Sequence, residues 1–155
     1  MMFYKSLLVT LIAGFALATG AWAAGSSSSS STPRISKNDT YDKAVRAVKG
    51  GDYQRAVTML NSVVASDARN ADAWNYLGFS HRKLERYDDA LAAYQKALAI
   101  DPNHRGANEY LGELYLMSGD VAKAEEQLRE LNSICFFGCE EYNELKAAIA
   151  KHKQG

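Results

Sequence analysis

The chain repeats itself at a spacing of 34 residues, and that period restricts its fold more than any other feature. Ala56, Ala90 and Ala124 stand 34 apart, as do Leu60, Tyr94 and Leu128, then Val63, Ala97 and Leu131, and the small residues Ala44, Gly78 and Gly112. A period of this length describes an array of like units, each too small to hide its own apolar face and therefore stacked on the next. Three units follow, over residues 37–70, 71–104 and 105–138.

Inside each unit the apolar residues recur at steps of three and four, the periodicity of amphipathic helices. In the middle unit "ADAWNYLGFSHRKL" reads as one helix and "YDDALAAYQKALAI" as a second, and Pro102 in the following "DPN" stops the chain from continuing helical. The outer units break at "GGDY" and "SGDV", where Gly51 and Gly119 can take the left-handed conformation that ends a helix. Each unit is thus a helical hairpin, and Gly78 with Ala90 lets the two helices of the middle one approach closely. Asn38 or Asp39 is placed to cap the first helix, a use that competes with reading "NDT" as a glycosylation acceptor.

The middle unit carries Trp74, Leu77, Gly78, His81, Ala90, Tyr94, Ala97 and Pro102, and the third Leu111, Gly112, Tyr115, Gly119, Ala124 and Leu128. In this pattern the chain resembles the tetratricopeptide repeat family, with His81 where the family prefers Tyr. The first unit departs further, with Thr40, Lys43 and Ala68 at the Trp, Leu and Pro positions. The resemblance implies an all-α, right-handed α-solenoid of three helical hairpins. It also implies that another protein or an extended peptide lies on the concave face built by the first helix of each hairpin. Transferred position by position, that face holds Tyr41 and Val45, then Asn75, Phe79, Arg82 and Lys83, then Glu109, Glu113 and Leu116. The basic clamp by which chaperone-binding relatives grip a terminal carboxylate would fall at Tyr41, Val45, Tyr76, Gly106 and Tyr110, none of them basic.

Continued past residue 138, the frame aligns Tyr142 with Trp74, Leu145 with Leu77 and Ile149 with His81, so "EEYNELKAAIAKHK" reads as the first helix of a fourth unit. Lys146 falls where complete units have Gly78 and Gly112, which suits a capping helix, residues 139–155, with one wet face. Glu140 and Glu141 at its start, and Lys151, His152 and Lys153 at its end, match the helix dipole.

The two cysteines, Cys135 and Cys139, enclose the turn "CFFGC" before this cap. Residues four apart on a regular helix hold their Cβ atoms about 5–6 Å from each other, and a disulfide needs roughly 3.5–4.5 Å. A bridge therefore requires the helix to break between them, which Gly138 permits. A structural disulfide, a redox pair with a low-pKa Cys139 at a helix N-terminus, and a copper-handling dithiolate all remain open. A zinc site would need further ligands, and the histidines are His81, His104 and His152.

The segment before the repeats has other business. Lys5, the apolar stretch Leu7 to Ala18 and "AWA" at residues 21–23 have the three parts of a secretory signal, cleaved before Ala24, and the apolar stretch is shorter than the roughly 20 residues of a membrane span. The mature protein is then expected in the periplasm or secreted, an oxidising setting that favours the disulfide. "GSSSSSSTP" within residues 24–36 reads as a flexible linker. Eighteen basic residues balance eighteen acidic ones, which lacks the basic footprint of a nucleic-acid binder. No nucleotide-binding glycine loop, nucleophile elbow or paired His/Glu metal motif is present, so neither an enzyme nor a resident cofactor is expected. The pairs Asp88–Asp89 and Glu125–Glu126 read as helix-start carboxylates rather than acid/base pairs.

Overall fold

A computed structural model describes residues 37–154. The expected signal and linker fall outside the described residues. Seven α-helices follow one another among them: α1 Lys37–Lys49, α2 Tyr53–Ser66, α3 Ala71–Lys83, α4 Tyr87–Ile100, α5 Arg105–Met117, α6 Val121–Ile134 and α7 Glu140–His152.

Four of the helices, α2, α3, α5 and α6, start where a side chain accepts an orphan backbone N–H. Asp52 accepts from Arg55, Asn70 from Ala73 and Asp120 from Lys123. His104 does the same through Nδ1, which accepts the Ala107 N–H at 3.1 Å. The expected cap on α1 is corrected: the helix already begins at Lys37, and Asp39 lies in its first turn, where it pairs with Lys43 at 2.8 Å. The turns within the hairpins use one left-handed residue apiece, Gly51, Glu85 and Gly119, with φ of 77°, 59° and 80°.

The helices pair as α1 with α2, α3 with α4 and α5 with α6, and α7 packs on both α5 and α6. Successive odd helices also touch, α1 with α3, α3 with α5 and α5 with α7, whereas α2, α4 and α6 never meet one another. Packing that is close along one row and splayed along the other bends the stack, with the odd helices on its concave side. The fold is an all-α solenoid of helical hairpins.

Small residues set the spacing. A Cβ on Gly78 would lie 2.6 Å from the Tyr94 ring, so α3 and α4 approach to aromatic contact. Gly112 serves a different neighbour: its Cβ would lie 2.5 Å from Leu145, so the glycine of the third hairpin receives the capping helix. Leu145 is fully buried and Ile149 nearly so, whereas Lys146 is exposed and its Nζ rests over the Tyr142 ring. Lys153 at the far end of α7 pairs with Glu125 of α6. Glu125 therefore stitches two helices together, a role beyond the helix-start carboxylate expected of it.

Candidate functional site

The odd helices bring an aromatic and charged ladder to the concave side. Tyr41 of α1 meets Tyr76 of α3 edge-on, with ring centres 6.2 Å apart. Tyr53 meets Phe79 at 6.1 Å, Phe79 meets Tyr110 of α5 at 5.1 Å, and Tyr110 meets the buried Tyr94 at 6.3 Å. Pairs at these separations add about 0.5–1.5 kcal/mol each beyond simple burial. The Arg82 guanidinium lies 5.4 Å from the centres of both the Phe79 and Tyr110 rings, and its Nη1 pairs with Glu113 at 2.7 Å. Lys83 Nζ lies over the same Phe79 ring at 5.3 Å. Burial pushes the Tyr110 phenol up to about 12, so it stays neutral and can donate.

Phe79, Arg82, Lys83 and Glu113, placed on this face by sequence, do come together. Tyr41 and Val45 are half-buried on α1, with the Tyr41 ring against Tyr76. The other three are less available than their register suggests. Asn75 and Glu109 are 6% and 3% exposed, and Leu116 packs in the core with Leu131, Leu145 and Ile149. Position 34 places before or after a groove residue identifies a face of a helix, but not which neighbour covers it.

Sequence reasoning left Tyr53 and Glu144 unremarked, and placed Tyr76 and Tyr110 only as positions where a basic clamp is missing. A signal for three of them was present: residues 76, 110 and 144 stand in the same register, 34 apart. Burial pushes the Glu109 carboxyl well above the usual carboxylate range, and the adjacent carboxyl of exposed Glu144 adds to the rise.

Beyond Arg82 and Glu113 the face opens into a hollow of about 550 Å³, lined also by Leu116, Met117, Lys151 and His152. The C-terminal ends of α3 and α7 thus present Arg82, Lys83 and Lys151, and their N-terminal ends present Asp72, Glu140 and Glu141, while α5 has no acidic residue in its first turn and no basic one in its last. The concave side is charge-divided along the helix axes.

The remaining candidates have structural partners. His81 is buried, its pKa lowered by desolvation, and its Nδ1 stands 3.7 Å from Asp89. The Cys135 and Cys139 sulfurs lie at bonding distance with Cα atoms 5.7 Å apart, Cys135 closing α6 and Cys139 opening α7. Gly138 between them has φ of 83°, and Phe136 and Phe137 at the tip are almost wholly exposed. Among the described residues no helix is long and apolar enough to cross a membrane.

Two family profiles, both described as Tetratricopeptide repeat, match residues 41–105 and 81–149. The chain is 35% identical over 69 residues to Tetratricopeptide repeat protein 37 of Xenopus laevis, covering 44% of this chain and 4% of that one. It is 32% identical over 72 residues to Protein FlbA of Caulobacter vibrioides, covering 46% and 12%. The matched stretches span only 4% and 12% of these two curated relatives' own lengths. Among solved structures, the Yersinia enterocolitica type III secretion translocator chaperone SycD superimposes with a TM-score of 0.69 at 19% identity, over 77% of this chain and 87% of that one. PcrH in complex with the chaperone-binding region of PopD gives 0.65 at 19% identity, over 76% and 88%. At such identities the likeness is one of fold.

Proposed function

We propose that this chain, built of tetratricopeptide repeats from residue 41 to 149, is an exported adaptor that holds an extended peptide or protein segment along its concave face. The observation that carries the reading is Arg82, fixed between the Phe79 and Tyr110 rings and tied to Glu113. Side chains already locked in place lose little entropy when a partner arrives, so their half-buried aromatic surface is available at low cost. Two structural neighbours support the same direction: SycD has been solved with a peptide of the translocator YopD, and PcrH with a region of PopD.

Export rests on the charged, apolar and small-residue parts of residues 5–23, with cleavage before Ala24. In that setting the cysteine pair is a staple joining α6 to the cap.

Phe79→Ala and Arg82→Gln are expected to weaken co-purification of the native partner about tenfold each, a loss of order 1–2 kcal/mol typical of an interface anchor. The helical circular dichroism of both variants should match the parent. Unchanged co-purification would move the interface elsewhere. Mass measurement of the protein from the periplasm should give a mature chain starting at Ala24 and lacking two hydrogens for the cystine.

A further inference from the structure

The N-terminal ends of α3, α5 and α7 surround a recess of about 460 Å³ at the acidic end of the concave side. Asn75 at its base is 94% buried by its 6% exposure, and its Oδ1 accepts no hydrogen bond. A buried acceptor without a donor is costly, so the recess is one donor short. Carboxylates dominate the rim: Asp72 from α3, and Glu140, Glu141 and Glu144 from α7. Tyr76 and Tyr110 form aromatic walls.

The neighbouring positive groups do not cancel this charge. Arg105 Nε reaches only Glu141, at 3.7 Å, from an exposed position. His104 places Nε2 3.1 Å from Asp72 alone, and its Nδ1 is taken by the Ala107 N–H. Among the described residues no three histidine, cysteine or carboxylate side chains converge as a metal cage. Carboxylates spread around aromatic walls suit an organic cation, which gains from ring faces and from several acceptors at once.

We infer that this recess receives the cationic end of a peptide side chain, a lysine ammonium or an arginine guanidinium, with Asn75 Oδ1 and the α7 carboxylates accepting its hydrogen bonds. The inference rests on the peptide-binding reading of the concave face and gives that peptide a chemical signature: a basic residue over α7's start. The Glu109 carboxyl, which keeps its proton because burial and Glu144 crowd it, also faces Glu113 and Glu141. An arriving cation stabilises the Glu109 carboxylate and expels that proton, so affinity rises with pH above the ordinary carboxylate range.

The test is titration calorimetry of the full chain with three capped pentapeptides, Ac-AKAKA-NH2, Ac-ARARA-NH2 and Ac-AEAEA-NH2. The lysine or arginine peptide should bind, and the stronger of the two identifies the preferred cation; the glutamate peptide should not. The binding enthalpy should differ between buffers of unlike ionisation heat, because a proton is released. Glu141→Gln with Glu144→Gln should weaken the basic peptide by at least about tenfold, and Glu144→Gln alone, at an exposed position, serves if the pair loses helicity. Glu126→Gln with Glu130→Gln makes the same charge change on α6 and should leave affinity unchanged. Equal binding of the glutamate peptide, no binding of either basic peptide, or equal losses from both double variants would overturn the assignment. Phe79→Ala separates it from the wider reading. If Phe79→Ala weakens the native partner while the recess variants change nothing, the recess assignment alone falls; if the native partner is indifferent to Phe79, the concave-face reading falls.

Discussion

Glu85 holds a left-handed conformation that its counterparts 34 residues away on either side, Gly51 and Gly119, take as glycines. A side chain there costs about 1–2 kcal/mol, partly offset by the extra freedom glycine gives the unfolded chain. Glu85→Gly is therefore expected to stabilise the protein by about 0.5–1 kcal/mol, read as a higher urea midpoint with an unchanged slope. Gly112 makes the opposite case. Gly112→Ala drives a methyl into Leu145 and should destabilise by about 1–3 kcal/mol. Combining it with Leu145→Ala should cost less than the sum of the two single changes, since the smaller partner makes room. Additive losses in urea unfolding would mean that Gly112 and Leu145 do not share that space.

At the scale of the helices, α7 is held to the solenoid by the buried Leu145 and Ile149, by Lys153 on Glu125, and by the cysteine turn. A loop this short contributes about 2 kcal/mol by chain entropy. Reduction should therefore raise amide exchange in α7 and leave α1 to α4 protected. The α5–α7 seam also carries a pH dependence. Because Glu109 has a folded pKa above its unfolded one, the folded state binds the extra proton. Its contribution is full at acidic pH and is lost as pH climbs from the ordinary carboxylate range towards the raised value. The melting temperature of the parent should fall over that range, and Glu109→Gln should flatten the decline. The spans of α3, α4 and α7 were legible in the sequence almost to the residue, because the helical period marked all three and Pro102 closed α4. The start of α1 was not, since Asn38 and Asp39 offered cap chemistry that an earlier helix start overrode.

Over the whole stack, the resemblance to tetratricopeptide repeats, transferred position by position, implied a shared face for Phe79, Arg82, Lys83 and Glu113, and these four do lie together. The repeat frame announced α7 as a cap but not what the cap would cover, so the burial of Glu109 and Leu116 beneath it was not legible. The same limit hid the acidic recess, whose residues come from three helices and whose decisive feature is an unpartnered buried oxygen on Asn75. The concave side follows from the odd helices touching in sequence while the even ones splay, and the account claims that partners bind there. The most direct measurement is site-specific photocrosslinking in the native compartment, with a photoreactive residue at Lys83 or Glu113 on the odd row and at Gln95 on exposed α4. One and the same adduct is expected from positions 83 and 113 and none from 95. An adduct from 95, with none from 83 or 113, would contradict it.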